Sequence, residues 1–377
     1  MNRRQPPFHC AMSEVYFTDL RADRPSKNVP NKIARLFRAA KISSIIEKGD
    51  LVAIKSHFGE PGSTTFLRPQ YCAKVVELVA KAGGKPFLTD SNTLYKGGRQ
   101  NAVDHLTSAA RHGFLPPVVN APLVIADGLT GRDQTEIKVD LKHCKTVKVG
   151  SAAHYADAIV CVSHVKGHML TGFGGALKNL GMGFGSRVGK LEMHQDVKPE
   201  VDEEKCKACG ECERSCPAGA ITIRRKARID LEKCIGCGEC YASCYNEAIK
   251  AGEWSDPAAS QEKIVEYCYG IINEKPKKLA YFNFIVDFTP LCDCPPFGDA
   301  PIIPNVGILA SMDIVAIDQA SADLVNAQEG LAGTKLKHAF GPGEDKIRDI
   351  HGIDWTIQLK YAESLGLGSR KYELVKV

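Results

Sequence analysis

The sequence lacks the features that mark membrane, secreted and nucleic-acid-binding proteins. It has no run of eighteen apolar residues, so no membrane-spanning helix is expected. The N-terminal stretch MNRRQPPFHCAMSEVYF carries two arginines but no apolar core of a signal peptide, and secretion is therefore not expected. The net charge of +5 is dispersed, and the densest basic run is RRKAR at 224–228, so nucleic acid is not an expected partner.

What is present is the composition of an ordinary globular protein. Hydrophobic residues make up 44% and charged residues 25%, and 377 residues suffice for two or three domains. Fifteen cysteines without a secretion signal indicate a reducing cytoplasm. Cys72, Cys161 and Cys268 lie in apolar periodic stretches and are expected to be buried. The first structured segment is expected to begin at Met12. The preceding residues 1–11 are interpreted as a tag, a misassigned start or a disordered tail.

The most specific feature is a cysteine-rich block of two consecutive CxxCxxCxxxC runs. Thiolate sulfur is the soft ligand that iron–sulfur clusters use, and two four-iron (4Fe-4S) clusters need eight such ligands. In the bacterial ferredoxin pattern the fourth cysteine of each run binds the other cluster. The expected ligands of the first cluster are Cys206, Cys209, Cys212 and Cys244. The expected ligands of the second cluster are Cys234, Cys237, Cys240 and Cys216.

Zinc or structural disulfides are the competing interpretation of this block. A zinc ribbon uses four cysteines from two CxxC pairs and leaves the third and fourth cysteine of each run without a role. Over about residues 198–252 the block resembles the bacterial-type dicluster ferredoxin domain, with CPAGAITI after the first run and CYNEAIKA after the second. Tyr245 stands where the first half has Pro217, and the resemblance implies altered packing or potential around an intact cluster. The run RRKAR is interpreted as a solvated face or a partner-docking patch.

Before the block, short apolar runs alternate with segments of helical period, which is typical of a mostly parallel sheet in an α/β domain. Residues 68–84 are predicted to form a helix that glycine ends. The predicted strands are residues 51–57, 85–91, 122–127 and 156–164. Ligands of open parallel sheets bind outside the carboxyl ends of the strands, so the loops at those ends form the candidate binding site.

Two of these loops carry residues suited to an anion. In HFGEPGSTTFLRP (57–69), hydroxyl side chains can cap the following helix and leave its backbone N–H groups open to an anion. DSNTLYKGGR (90–99) is polar, with Lys96 and Arg99 flanking two glycines. The candidate cofactor-binding residues in the first loop are Ser63, Thr64, Thr65 and Arg68.

The third loop, residues 163–185, joins two histidines and a lysine to a glycine-rich turn, before a helix expected to start near Ala176. Glycines let the backbone approach a ligand closely, and the start of a helix favours negative charge, so this turn could bind an anion. The alternative, with equal weight, is that the turn only connects two elements tightly. The candidate cofactor-binding residues here are Gly172, Gly174, Gly175 and Lys178. The candidate catalytic residues, for proton transfer or metal ligation, are His164, His168, Lys178 and His194.

After the block the chain returns to helices and a strand, and it contains a thiol-rich loop. The predicted helices are residues 262–275, 315–325 and 354–366, and the predicted strand is 279–288. Asp313 is expected to start the second of these helices. Cys292 and Cys294 flank Asp293 beside two prolines, and cysteines so spaced cannot easily bridge each other. The loop therefore predicts either a further metal or cofactor contact or two free thiols.

The simplest domain organisation is an insertion. No glycine-rich or proline-rich linker separates residue 200 from the block or residue 253 from the C-terminal part of the chain. Residues 12–200 and 253–377 are therefore expected to form one α/β domain in two parts, with residues 201–252 inserted between them. The expected fold class is α/β, a mostly parallel sheet domain with an inserted α+β dicluster ferredoxin-like domain.

Three motifs carry a resemblance over nearly the whole chain from about residue 12. SHVKGHMLTGFGGALKNLGMG, HFGEPGSTTFLRP and PLCDCPPFGDAPIIPNVGILASMDIVAID together resemble the family called domain of unknown function 362. Members of that family often carry an inserted dicluster ferredoxin module. The resemblance implies an iron–sulfur α/β protein without a settled reaction.

A more distant similarity is to the nickel-pincer lactate racemase fold. There a histidine precedes a glycine-rich turn and a lysine that anchors the pyridinium cofactor, and a further histidine ligates nickel. The matching positions are His168, Lys178 and His194. The racemase has no ferredoxin domain, and the counterpart of its catalytic histidine loop reads SNTLYKGGR here, without histidine. Because racemisation on two faces needs two bases, this difference argues against that reaction.

The leading expectation is a cytoplasmic iron–sulfur oxidoreductase. Its clusters would relay single electrons between an external donor or acceptor, a ferredoxin or a reductase, and a site at the sheet edge. That site would hold an anionic small molecule or an additional cofactor, a flavin or a metal. The alternatives are a non-catalytic electron-transfer or maturation protein, and a cofactor-dependent isomerase related to the racemase. The sequence leaves open whether the chain forms a homo-oligomer.

Overall fold

The computed structural model describes residues 12–95, 97–194, 199–216, 218–234, 240, 243–244, 246, 248–250 and 256–377. The strands are β1 (Ser13–Asp19), β2 (Leu51–Lys55), β3 (Lys85–Asp90), β4 (Leu123–Ile125), β5 (Gln134–Lys138), β6 (Thr146–Gly150), β7 (Ala158–His164), β8 (Lys166–His168), β9 (Gly172–Gly174), β10 (Glu200–Val201), β11 (Ile221–Ile223), β12 (Ala227–Ile229), β13 (Ile249–Lys250), β14 (Leu279–Ile285), β15 (Gly307–Ser311) and β16 (Tyr372–Lys376). The α-helices are α1 (Val29–Ala39), α2 (Pro69–Lys81), α3 (Ala102–Arg111), α4 (Pro116–Val119), α5 (Ser151–Tyr155), α6 (Ala176–Phe184), α7 (Arg187–His194), α8 (Glu211–Ser215), α9 (Pro257–Glu274), α10 (Ile314–Asn326), α11 (Lys346–His351) and α12 (Thr356–Ser364). Short 3-10 helices lie at Pro25–Lys27 and Ile42–Ile45.

The centre of the fold is an eight-stranded sheet in the order β16-β1-β15-β14-β7-β2-β3-β4. β15 runs antiparallel to both of its neighbours, and all other adjacent pairs are parallel. The mostly parallel sheet predicted from the sequence is therefore confirmed. All seven residues of β7 and all seven of β14 are buried, as expected for strands that are covered on both faces.

Helices cover both faces because successive strand residues point to opposite sides. On one face Ile54 and Val160 share a core with residues of α1 and α2. On the other face Ile159 and Cys161 share a core with residues of α6, α9 and α10. The strands before and after the cysteine-rich block pair directly, since β7 lies beside β14. The two flanks of the block thus build one sheet.

Several predicted elements are confirmed, with small shifts of their ends. The helix predicted at 68–84 is α2, and Gly83 beyond its end has a φ of +99°. Asp313 caps α10, and its carboxylate accepts backbone N–H bonds from Val315 (2.8 Å) and Ala316 (2.9 Å). The three cysteines expected to be buried are all 0% exposed: Cys72, Cys161 and Cys268. Within the described residues, no helix is both long and apolar enough to cross a membrane.

Between residues 199 and 250 the described chain repeats one pattern with an offset of 28 positions. β10 pairs antiparallel with β13, and β12 pairs antiparallel with β11. The register is the same in both pairs, because Val201 lies opposite Ile249 and Ile229 lies opposite Ile221. This segment also has a small core of its own. The two halves are therefore related by an internal two-fold repeat.

The turns that lead into the cysteine runs repeat in the same way. The Asp202 carboxylate accepts N–H bonds from the residues two and three positions on (3.1 and 3.3 Å), and so does the Asp230 carboxylate (3.1 and 3.3 Å). The backbone N–H of Cys206 donates to the Asp202 carbonyl, and that of Cys234 to the Asp230 carbonyl, each at 3.0 Å. Equivalent turns thus place the first cysteine of each run.

Several residues discussed from the sequence lie outside the described residues: 1–11, Lys96, Pro217, Cys237 and Tyr245.

Candidate functional site

A cavity of about 590 Å³ opens at the carboxyl ends of β2, β3 and β7. Its walls come from the three loops singled out in the sequence, 57–69, 90–99 and 163–185, and from the thiol-rich loop around residue 293. The size is that of a pocket for a small molecule or an organic cofactor. The predicted convergence of these loops at one edge of the sheet is confirmed.

The floor of the cavity holds a buried ion pair supplied by two strand ends. Lys55, the last residue of β2, places its Nζ 2.9 Å from Oδ1 of Asp90, the last residue of β3, and 2.9 Å from Oδ1 of Asn179. Both charged side chains are at least 95% buried. Burial alone would raise the pKa of Asp90, but the Lys55 ammonium and other nearby cations hold that pKa well below its usual value. The Asp90 carboxylate therefore stays ionised, and the bond from Lys55 to Asn179 fixes α6 against the sheet.

Arg99 fastens the 90–99 loop to the 57–69 loop. Its side chain is buried, and its Nε donates to Oε2 of Glu60 (2.8 Å) while its NH1 lies 2.8 Å from Nε2 of His57. Its NH2 donates to the hydroxyl of Tyr95, which in turn donates to the carbonyl of Cys294 (3.2 Å). The guanidinium is thus used within the protein to position three loops.

Asp293 anchors the thiol-rich loop from behind. Its carboxylate is 0% exposed, lies 3.0 Å from Nδ1 of His164 and 3.3 Å from Nζ of Lys166. Burial would raise the pKa of Asp293, but the His164 and Lys166 charges keep that pKa well below its usual value. The Nε2 of His164 lies 2.7 Å from the carbonyl of Val286. Both ring nitrogens of His164 face acceptors and the residue does not line the cavity, so its geometry fits an anchoring role, and its catalytic role stays a prediction.

With Asp293 held behind the loop, the thiols of Cys292 and Cys294 line the cavity. The Cys292 thiol hydrogen-bonds to the sulfur of Cys294, and Sγ of Cys294 lies 3.6 Å from Nε2 of His57. The bond from Cys292 lowers the pKa of Cys294 well below its usual value despite burial, and His57 and the Lys178 ammonium add to this. Donating that bond, together with burial, raises the pKa of Cys292. Cys294 is therefore the more readily ionised sulfur of the two.

Three of the four predicted catalytic residues meet in this cavity: His168, Lys178 and His194. Nδ1 of His168 accepts backbone N–H bonds from Leu170 (3.2 Å) and Thr171 (3.3 Å), so Nε2 carries the ring proton. Burial, followed by the Lys178 charge, lowers the pKa of His168 well below its usual value and that of His194 to about 4. Both imidazoles are therefore neutral near pH 7. Among the described residues the Lys178 ammonium has no hydrogen-bond or ion-pair partner.

The glycine-rich turn does not receive an outside anion at the helix start, because the protein supplies one. α6 begins at Ala176, as predicted, and the buried Asp318 carboxylate accepts the N–H groups of Ala176 (2.7 Å) and Leu177 (2.9 Å). Gly174 and Gly175 line the cavity, and a Cβ on Gly174 would lie 2.8 Å from Cδ of Lys178. The Cα hydrogen thus leaves room for the lysine. Gly172, with a φ of +72°, packs against Trp355 and does not line the cavity.

The hydroxyl residues of the 57–69 loop lie elsewhere. α2 starts at Pro69, its cap is Arg68, and no side chain caps it, so the prediction that the loop hydroxyls cap this helix is wrong. The cap position is taken by Arg68, whose side chain has no acceptor atom, and the N–H of Tyr71 bonds to the Arg68 carbonyl (3.0 Å). None of the four predicted anion ligands of this loop lines the cavity: Ser63, Thr64, Thr65 and Arg68. Their binding role stays a prediction.

Seven of the eight predicted cluster cysteines are described, and all seven are free thiols: Cys206, Cys209, Cys212, Cys216, Cys234, Cys240 and Cys244. Three of them, Cys206, Cys212 and Cys240, are buried in the core of the repeated segment, with Cys216 and Cys244 packed against it. The described residues contain no group of three or more histidine, cysteine or acidic side chains arranged to hold a metal ion. Cysteines from both runs nevertheless share one small core.

Sequence reasoning missed several residues of the cavity. Lys55 and Asp90 are charged residues at the carboxyl ends of buried strands, a signal that could have identified them. Lys166, also charged, lies just beyond β7 and contacts the carboxylate of Asp293. The sequence assigns no role to His57 and Asp293, although both lie in the loops discussed above. Only the tertiary structure brings His57 to the thiol of Cys294 and Asp293 to His164.

Comparisons with known proteins match a protein family and find similar proteins among curated sequences and solved structures. The family described as Domain of unknown function (DUF362) matches residues 52–323. The chain is similar to the "Thylakoid-associated protein sll1697" of Synechocystis sp., with 28% identity over 154 residues, which cover 40% of this chain and 43% of that protein. Among solved structures it is similar to the lactate racemase apoprotein from Thermoanaerobacterium thermosaccharolyticum, with 14% identity and a TM-score of 0.38 over 68% of this chain and 49% of that one. The matches therefore span less than half of each relative.

Proposed function

The chain belongs to the family described as Domain of unknown function (DUF362), and we propose that it is an iron–sulfur oxidoreductase with two 4Fe-4S clusters between residues 201 and 252. Bound clusters would supply single electrons at low potential. The cavity at the sheet edge would hold the molecule that exchanges those electrons. An external ferredoxin or reductase would be the redox partner.

The observation that carries this proposal is the repeated hydrogen bonding of the cysteine sulfurs. The backbone N–H of Ala220 donates to Sγ of Cys216 (3.3 Å), and the N–H of Ala248, 28 positions later, donates to Sγ of Cys244 (3.2 Å). Such N–H···S bonds stabilise thiolates and tune the potential of the clusters they ligate. The fourth cysteine of each run thus has the same environment. This matches a pair of clusters that exchange their fourth ligands.

A zinc site or disulfides would not call for this arrangement. One structural zinc ion uses four sulfurs and gives no reason for a two-fold repeat of two complete runs. The described cysteines form no disulfide. Cys206 also accepts an N–H bond at its sulfur, from Ala227 (3.4 Å), across the same small core. The donor set and its surroundings therefore fit clusters.

The charges of the cavity support an anionic small molecule as its occupant. The cationic residues that line it are Lys55, Lys166, Lys178, Lys190 and Arg99, and the carboxylates are Glu60 and Asp90. Burial lowers the pKa of Lys190 to about 8, which leaves that side chain mostly charged at pH 7. The other cationic side chains of the cavity bond to groups of the protein, whereas the Lys178 ammonium has no hydrogen-bond or ion-pair partner among the described residues. A carboxylate or phosphate group would fill that role.

The tether between the two parts is short. α7 ends at His194, which lines the cavity, and β10 begins at Glu200. Six residues can span at most about 20 Å, so the repeated segment begins within that distance of the cavity wall. This tether supports electron exchange between the cysteine block and the cavity.

A second candidate function, a cofactor-dependent isomerase, rests on a separate observation. His168, Lys178 and His194 line one cavity, and both imidazoles are neutral, the form that binds a metal or an organic cofactor. In that case the cysteine block would have a structural or regulatory role. The non-catalytic carrier differs from both, because it requires no ligand in the cavity.

Metal and flavin analysis of anaerobically purified protein separates the three. The oxidoreductase predicts about eight irons per chain after reconstitution, with bound flavin as further support, and fewer than about six irons would contradict two clusters. Stoichiometric nickel that is lost in Lys178→Ala and His194→Ala would favour the isomerase. Iron alone, with no ligand in the cavity, would favour the carrier. Lys81→Ala, an exposed lysine of α2, is the matched control.

A further inference from the structure

The cavity contains a reactive centre that the electron relay does not explain, the pair Cys292 and Cys294. The chain alternates here, so that Asp293 points into the protein, onto His164 and Lys166, while the residues on either side point into the cavity. The backbone of the loop is held as well, because the carbonyl of Asp293 accepts the N–H of Glu60 (3.1 Å). The two sulfurs are therefore fixed in place and do not belong to a flexible turn.

We propose that Cys294 is a nucleophile that adds covalently to the carbonyl carbon of an anionic aldehyde or 2-oxo acid, with Cys292 as the proton donor beside it. The inference goes beyond the proposed electron relay and does not depend on the clusters. It assigns the thiol pair to substrate chemistry.

The state of the two sulfurs fits this role. Sγ of Cys294 lies 3.6 Å from Nε2 of His57, and the bond from Cys292 lowers the pKa of Cys294, so Cys294 is the more readily ionised sulfur of the pair. His57 is not placed as a conventional base, since its Nδ1 accepts the backbone N–H of Gly59 (3.0 Å) and its Nε2 lies 2.8 Å from NH1 of the permanently charged Arg99. The proton of the pair therefore stays on Cys292, and Cys294 needs no further activation.

The surroundings favour a carbonyl over other electrophiles. When a thiolate adds to a carbonyl, negative charge moves onto the oxygen, and donors placed nearby stabilise it. The cavity offers two kinds of donor, the ammonium of Lys178 and the Nε2–H of neutral His168. Disulfide exchange would develop no charge on oxygen and would have no use for them.

The step balances without an added oxidant or reductant. The Cys294 sulfur forms a bond to the carbonyl carbon, and the π pair of the C=O bond moves to oxygen. That oxygen takes the proton from Cys292, which gives a thiohemiacetal with a neutral hydroxyl group, and the negative charge of the thiolate is then on the Cys292 sulfur. Reversal returns the proton and releases the carbonyl compound.

Alkylation of the full-length, cluster-loaded protein at pH 7 tests the nucleophile, with peptide mass spectrometry to locate the modified cysteine. An ordinary thiol is about 3% ionised at pH 7, so full ionisation raises the rate by up to about 30-fold, less a loss in intrinsic nucleophilicity. We expect Cys294 to react faster than N-acetylcysteine and to prefer anionic iodoacetate over iodoacetamide more than that reference thiol does. Lys178→Gln should reduce this preference, and the exposed control Lys81→Gln should retain it. A rate no greater than that of N-acetylcysteine, or modification of Cys292 in its place, would overturn the proposal.

A pair of small anions tests the carbonyl. Glyoxylate and glycolate share a carboxylate and differ in the aldehyde. We expect glyoxylate to protect Cys294 from iodoacetamide at concentrations at which glycolate does not, with a carbon-13 signal of a thiohemiacetal that is absent in Cys294→Ser. Equal protection by both anions would show binding without a covalent bond and would overturn the covalent step. Absence of protection by either would overturn the assignment of the substrate class.

Discussion

Replacing Asp318 with alanine is expected to destabilise the protein, and the loss should depend on pH in a direction opposite to that of most carboxylates. The Asp318 carboxylate is 0% exposed and accepts three bonds, from the N–H groups of Ala176 and Leu177 and from Nδ2 of Asn283 (2.7 Å). Asp318→Ala leaves three buried donors without an acceptor. At about 1–3 kcal/mol for each unsatisfied buried group, the expected loss is roughly 3 kcal/mol or more.

The pH dependence follows from the cost of burying the charge. Burial, only partly offset by the donated N–H bonds, raises the pKa of Asp318 from 3.8 to about 6. A pKa raised in the folded state means that the contribution to stability is complete below the unfolded value and is lost as pH rises through about 6. The contribution falls from about 1 kcal/mol at pH 5 to almost nothing at pH 7. The Asp318→Ala variant lacks this pH-dependent contribution to the free energy of unfolding.

Urea denaturation at pH 5, 6 and 7, followed by circular dichroism, measures the difference between wild type and variant. We expect the destabilisation by Asp318→Ala to be about 1 kcal/mol larger at pH 5 than at pH 7. Asp323→Ala, on the same helix and partly exposed, is the control for loss of a carboxylate that hydrogen-bonds at the surface. A destabilisation that grows from pH 5 to pH 7 would refute the reasoning, because it would mean that the folded state favours the ionised carboxylate.

Two further predictions concern buried charges around the cavity. Lys55→Met leaves Asp90 without its nearest cation, and unfolding experiments should show a loss of about 3–5 kcal/mol, much of it recovered in the double variant with Asp90→Asn. A double variant no more stable than the single one would contradict the account of the pair. Asp293→Asn removes the charge that faces His164 and should destabilise by a similar order, about 3 kcal/mol, while slowing alkylation of Cys294 because the loop is no longer held. Unchanged alkylation would show that the anchor does not position the thiol.

The sheet and many of its elements could be predicted from the sequence because their signals are local. The apolar runs of β2, β3 and β7 indicate strands, and the aspartate at 313 predicts the start of α10. β1, β15 and β16 were not predicted. β16 is a half-exposed edge strand, and its place beside β1 depends on pairing across almost the full length of the chain.

The candidate site was predictable at the level of its loops but not of its contacts. His168, Lys178 and His194 were found because histidine and lysine stand out beside a glycine-rich turn. The internal anion at the start of α6 was not found, since Asp318 is more than 140 positions from Ala176 and Leu177. A carboxylate on the apolar face of a helix was the signal that could have indicated a buried partner.

Electron paramagnetic resonance of the reduced protein tests the central claim most directly. Reconstituted protein, reduced with dithionite under anaerobic conditions, should give about two spins per chain, with signals broadened by coupling between two nearby clusters. Cys216→Ser and Cys244→Ser should each perturb one of the two signals, since the repeat gives these cysteines equivalent places. A reconstituted protein that shows no spin on reduction, or zinc in place of iron, would contradict the account.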